Sequence, residues 1–177
     1  MTLLGPNARN ESGGTPPGIE WRPPADTRRV LLAGDETALP AVASVLESLA
    51  ATRPGVTGHA LVEVAGAADV LPLAAPSGVR VVWCPRDGRP RGAALAAALH
   101  EVLDAPTAAR PSTPLADVDV DHEVLWETGE GAQGWYGWLA GEAAMVRGLR
   151  RHLVQERGVD RRSVTFMGYW REGRAEG

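Results

Sequence analysis

Apolar residues along this chain fall into two alternating rhythms. RRVLLAG at 28–34 is a short continuous apolar run ended by glycine, the pattern of a strand buried on both faces. TALPAVASVLESLAA follows with Leu39, Val42, Val45, Leu46 and Leu49 at helical spacing, Thr37 as N-cap and Pro40 in the first turn. After a break at Arg53 to Gly58, HALVEVA predicts a second strand, then a loop with at most one helical turn, and VRVVWC predicts a third strand closed by Pro85. GAALAAALHEVL is a helix on propensity, and the proline-bearing DAPTAARPSTPLADVDVD a surface loop. EVLWE and WYGWLAG are extended segments around GEGAQG, a hairpin being one arrangement, with the second entering the sheet. In EAAMVRGLRRHLVQERG, Met145, Val146, Leu149 and Leu153 share one face, the arginines take the other, and Gly158 supplies the stop. SVTFMGYW is a last strand and REGRAEG a charged tail. Residues 1–27 lack apolar periodicity and are rich in Gly, Pro, Asn and Ser, which predicts a flexible arm ahead of one domain at 28–177.

Strand and helix in alternation define an α/β class: a Rossmann-like three-layer fold with a largely parallel sheet of about five strands. In the doubly wound order 3-2-1-4-5, the strand ending at Gly34 lies beside the strand ending at Gly141, and their helices leave on opposite faces. The crevice at those two ends selects the loops GDETALP and AGEAA.

Composition narrows the chemistry. The net charge of −4 offers no basic field for nucleic acid or anionic lipid. All 18 basic residues are arginine, which excludes lysine Schiff bases. The start MTLLGPNARNESGG has no signal-peptide pattern, and no segment approaches the roughly 20 apolar residues of a membrane span. The expectation is a soluble cytoplasmic protein. Cys84 lies in an apolar run and reads as a buried strand thiol, and His59, His100, His122 and His152 show no metal-ligand spacing.

Both helices leaving the crevice direct free N–H groups and a positive dipole end into it, the physical basis for holding a pyrophosphate. The first turn lacks G-x-G-x-x-G, however, and Asp35 and Glu36 place negative charge there; the alternative is that Asp35, Glu36 and Glu142 simply cap helices. Arg86, past the third strand, is a candidate for the 2′-phosphate of NADP or a solvated surface arginine. Glu63, near the end of the second strand, is a candidate acceptor for a ribose 2′-hydroxyl, favouring NAD, the alternative being that it points away from the crevice. Tyr169 and Trp170 end the last strand, where an aromatic ring either stacks on a planar cofactor or packs.

LLAGDETALPAV at Leu31 to Val42, LVEV at Leu61 to Val64, and WLAGEAAMVRGLRRHLVQERGVDRRSVTFMGYWREGRAE at Trp138 to Glu176 together resemble the C-terminal domain of the siderophore-interacting protein family. The resemblance covers about Arg29 to Glu176. It implies a ferredoxin-reductase type nucleotide domain that normally follows a flavin-binding β-barrel, and an activity in which electrons pass from NADPH or NADH through FAD to a ferric siderophore, releasing ferrous ion. Carried onto this chain, it implies that Gly34, Asp35, Glu36, Thr37 and Pro40 form the nucleotide loop. Gly141, Glu142 and Ala143 would then face the nicotinamide end, with Trp170 and Arg171 near the domain junction and the flavin. No Arg-x-Tyr-(Ser/Thr) flavin motif precedes Arg29. The expectation is therefore half of a reductase, with FAD supplied by a separate flavin-domain chain and the siderophore met indirectly. The alternative is a non-catalytic binding or interaction module, or remnant, of iron metabolism.

Overall fold

The computed structural model describes residues 21–103, 126–129 and 134–173. Its elements in chain order are β1 (Arg29–Gly34), α1 (Leu39–Thr52), β2 (Thr57–Val64), β3 (Gly78–Pro85), α2 (Ala93–Leu103), β4 (Trp126–Glu127), β5 (Trp135–Glu142), α3 (Ala143–Arg151) and β6 (Val164–Trp170). They build a sheet of order β3-β2-β1-β5-β6-β4. The first five strands are parallel, and β4 runs antiparallel on β6. The doubly wound order is therefore present, but the hairpin between the segments around GEGAQG is not. Both edges of β5 are taken by β1 and β6, so β4 pairs on the far side of β6 instead.

Two-residue alternation along each strand divides the apolar side chains between two layers. Val30, Leu32, Ala60, Val62, Tyr136, Trp138 and Met167 meet α1 on one face. Leu31, Ala33, Leu61, Leu139 and Phe166 meet α2 and α3 on the other. Because each central strand feeds both layers, it reads as a continuous apolar run, and hydrophobic burial on both faces is the main stabilising term. The crossover from β2 to β3 has no helix beyond the single turn Ala67–Asp69. Leu73 and Ala75 of this loop pack on the α1 layer, while Val70 and Leu71 stay exposed.

Three local details depart from the sequence reading. The N-cap of α1 is Ala38, not Thr37, and Pro40 lies in its first turn. The face of α3 is not purely apolar: Arg150 is 4% exposed and forms two 2.9 Å hydrogen bonds to the carboxylate of Glu127 on β4. Its guanidinium also lies 6.0 Å from the Phe166 ring centre, so an edge strand is tied to a helix by a cation where an apolar residue was the simpler choice. The helix ends in a wider π turn at His152–Glu156 before Gly158, whose φ of +67° forms the stop.

Residues 21–27, assigned to the arm on composition, lie against the domain, while residues 1–20 fall outside the described part. Trp21 is buried, its ring edge-on to Tyr136 at 5.3 Å, and Arg53 donates to the Pro24 carbonyl at 3.0 Å. One large aromatic side chain offsets the ordering entropy of the few residues around it, which a composition argument averages away. Among the described residues, no helix is long and apolar enough to cross a membrane. Trp21→Ala is expected to lower stability by about 3 kcal/mol, the usual scale for a buried aromatic. Urea unfolding checks this, and a loss near zero would return these residues to the arm.

Candidate functional site

The sheet topology puts the carboxyl ends of β1 and β5 side by side, with Gly34 opposite Ala140. From there the chain enters α1 on one face and α3 on the other, which opens the crevice expected at a switch point. Gly34 is needed for close approach, since a Cβ would lie 2.6 Å from the Ala38 Cβ and 2.7 Å from the Ala140 carbonyl oxygen. The chain can therefore turn at once into the Asp35 loop.

Asp35 is fully buried at the centre of this crevice. Its Oδ1 accepts from the Thr37 backbone N–H at 3.0 Å and from the Thr37 hydroxyl. Its Oδ2 accepts from the Glu142 N–H at 2.9 Å and the Trp170 indole N–H at 3.2 Å. One carboxylate thus fastens the ends of β1, β5 and β6. Gly141 makes room for it: φ is +140°, and a Cβ would lie 2.7–2.8 Å from the Asp35 carboxylate atoms. Glu142 caps α3, its Oε2 accepting from the Met145 N–H at 2.8 Å. The capping reading is thus observed for Glu142, while Asp35 acts as a cross-strand clamp.

Glu36, beside it, faces outward and is held by two arginines. Arg86 approaches fork to fork, with Nη1 2.8 Å from Oε2 and Nη2 3.1 Å from Oε1, and Arg91 Nη1 donates to Oε1 at 2.9 Å. Partial burial opposes ionisation of Glu36, but hydrogen bonds from Arg86, from its own backbone and from Arg91 outweigh it and bring the pKa down to about 2. Behind Arg86 stands Glu63, fully buried, accepting from the Gly92 N–H at 2.8 Å, the Leu95 N–H at 3.1 Å and Arg86 Nη1 at 3.4 Å. Glu63 is committed to the start of α2 and is not presented to a ribose. Arg91 also stacks over the Trp170 ring at 4.8 Å.

The structure therefore brings together Gly34, Asp35, Glu36, Arg86, Gly141, Glu142 and Trp170. Thr37, bonded to Asp35, and Pro40, in the first turn of α1, are both exposed, and Ala143 opens α3. Arg171 and Glu142 line an adjoining cleft of about 590 Å³ between the start of α2 and α3, with Arg91, Arg147 and His152. Arg91 is the residue missed by the sequence reading; the signal was the arginine-rich turn CPRDGRPRG between a strand and a helix start. Cys84 is buried, and that burial together with the nearby charge of Glu63 raises its pKa to about 11, so it stays a packing thiol. His100 and His152 stack at 3.7 Å, His122 lies outside the described residues, and no group of three or more metal-ligating side chains occurs among the described residues. As a set, the crevice offers two guanidiniums and a helix start to an anion, screened by the chain's own carboxylates.

Asp35→Asn replaces one acceptor by a donor facing the Glu142 and Trp170 N–H groups, and is expected to cost about 2–4 kcal/mol by chemical denaturation. The Glu36 cluster makes a pH prediction. A carboxylate whose folded pKa lies below its ordinary 4.5 stabilises the fold above that pH, and the contribution is lost as pH falls toward 2. Urea midpoints between those limits should fall less steeply in Glu36→Gln than in the parent, and parallel curves would dismiss the ion-pair account.

The siderophore-interacting protein family model matches residues 27–173. An uncharacterised protein of Mycobacterium tuberculosis is 35% identical over 181 residues, covering 98% of this chain and 57% of the relative. The ferric vibriobactin reductase ViuB of Vibrio cholerae is 27% identical over 176 residues, covering 99% of this chain and 51% of the reductase. Among solved structures, a siderophore utilization protein from T. fusca aligns with a TM-score of 0.57 and 30% identity over 84% of this chain and 46% of its own. SipS, a siderophore-interacting protein of Aeromonas hydrophila, aligns at 0.56 and 29% over 84% and 48%. The chain spans about half the length of the curated relatives it matches. With the family's model matching most of its length, this chain belongs to the siderophore-interacting protein family.

Proposed function

We propose that this chain is the nicotinamide-nucleotide-binding part of a flavin-dependent ferric-siderophore reductase, taking NADPH or NADH for electron transfer through FAD on a separate domain to a ferric siderophore. The observation that carries the reading is the crevice between β1 and β5, with Arg86 and Arg91 at its mouth, in a chain of this family. The residues fit a nucleotide. The two arginines at the mouth supply donors for phosphate, beside an α3 start whose Met145 N–H is already capped by Glu142, and Asp35, an obstacle in the sequence, is turned inward with its oxygens occupied.

When bound, the nicotinamide supplies a hydride, and the flavin converts that electron pair into the single electrons a ferric ion accepts. This chain's own part is to bind and orient. The loops at Gly34 to Pro40 and Gly141 to Ala143 hold the nucleotide, while Trp170 and Arg171 at the end of β6 face the flavin domain. A cytoplasmic setting goes with this reading, since it needs a pool of reduced nicotinamide nucleotide. One observation favours the non-catalytic alternative: Glu36 and Asp35 already satisfy the donors around them, so the crevice is complete as a structural unit.

Calorimetric titration of the chain with NADPH and then NADH, with and without FAD, separates the two. Saturable binding is expected, and Arg86→Ala should weaken NADPH about tenfold, the scale of one charge-assisted contact, while changing NADH less. Absence of binding at millimolar nucleotide, with a supplied flavin domain as well as without, would leave the interaction module as the reading.

A further inference from the structure

Glu36 is placed unlike the other acids of the crevice. Asp35 and Glu63 are fully buried, and each accepts backbone N–H groups that fix a loop or a helix start. The Glu36 side chain is 38% exposed, and apart from its own backbone its partners are side chains: Arg86 grips both its oxygens and Arg91 takes one of them again. This is an anion held by one guanidinium fork and a single N–H of a second guanidinium, a cluster of donors of the kind that recognises phosphate.

The two arginines do not depend on Glu36 alone for their positions. Arg86 is backed by Glu63 at 3.4 Å, which α2 holds in place. Arg91 rests on the Trp170 ring at 4.8 Å and lies 3.8 Å from Asp35, itself fixed by the strand ends. The side chains of both arginines are mostly buried, at 12% and 20% exposed, so the forks are set from behind and Glu36 closes them from the solvent side. If Glu36 rotates outward, two preset cations remain facing the mouth of the crevice.

We propose that Glu36 is an internal competitor, occupying with its own carboxylate the place between Arg86 and Arg91 that a phosphate monoester takes, and that it thereby sets the discrimination between phosphorylated and unphosphorylated nicotinamide nucleotides. The proposal rests on the nucleotide-binding reading above. A phosphate monoester carries close to two negative charges and three acceptor oxygens against the single charge of a carboxylate, so it displaces Glu36 where a neutral ribose hydroxyl does not. The Glu36 pKa of about 2 keeps the competitor charged at every physiological pH, so the contest is decided by ligand chemistry and not by protonation.

The test is calorimetry on the full chain and on E36Q with NADPH, NADH and adenosine 2′-monophosphate, which carries the monoester without a pyrophosphate. E36Q should tighten NADPH and adenosine 2′-monophosphate about tenfold, the effect of roughly 1.4 kcal/mol, and NADH by less than about twofold. Adding R91A to E36Q should remove the gain. Should E36Q fold poorly, E36A gives the same comparison. Nucleotide binding that is unchanged or weaker in E36Q would overturn the competitor role while leaving the nucleotide reading intact. An equal gain for NADPH and NADH would move the contest to the pyrophosphate and overturn the discrimination. If neither parent nor variant binds any of the three, the nucleotide reading falls and this proposal with it.

Discussion

A single buried carboxylate holds the working end of this domain together. Asp35 receives hydrogen bonds from its own loop, from the start of the helix after β5 and from the last residue of β6. Those contacts bring together segments more than a hundred residues apart in sequence. Parallel strands have no hairpin turns to fix their carboxyl ends, so the ends of β1, β5 and β6 must be tied by side chains, and a carboxylate accepting several donors is a strong and directional tie. The glycine at 141 is a consequence, because any side chain there would occupy the space of the Asp35 carboxylate.

Around that clamp the polar groups form two shells. The inner one, Asp35, Glu63 and Glu142, satisfies backbone donors and makes the crevice a rigid frame. The outer one, Glu36 with Arg86 and Arg91, consists of side chains that serve one another. Inner contacts are costly to break because they would leave buried N–H groups unsatisfied, whereas outer ones can be exchanged for equivalent contacts to a ligand. Division of this kind places preorganised donors at the mouth without sacrificing the fold beneath it.

Fold class was legible in the sequence because the parallel strands are apolar runs alternating with two helices of apolar periodicity and one of alanine-rich propensity, and the doubly wound order then located the crevice. RRVLLAG and WYGWLAG announce two-sided burial directly. What escaped depended on partners distant in the chain. Nothing near Arg150 in sequence signals that it turns inward, since its partner Glu127 sits on β4. Trp21 was hidden by the glycine and proline around it, though it packs on Tyr136. Glu63 looked available at a strand end, but alternation along β2 turns its side chain toward the α2 face, where the unpaired N–H groups of Gly92 and Leu95 capture it. In the candidate site the types of residue were readable and the pairing was not: Asp35 and Glu36 are adjacent in sequence and differ in burial, partners and role.

The ion pair between Arg150 and Glu127 has a bearing on how copies of this chain treat one another in solution. β6 would otherwise end the sheet with a row of open main-chain donors and acceptors, a template onto which a strand from another molecule can add. Among the described residues β4 pairs with Met167 and Phe166 alone, too short a stretch to hold itself by backbone bonds. The buried guanidinium of Arg150 anchors it to α3 and keeps that stretch of edge covered. The same cation that ties a helix to the sheet thus also withholds the covered part of the β6 edge from strand addition.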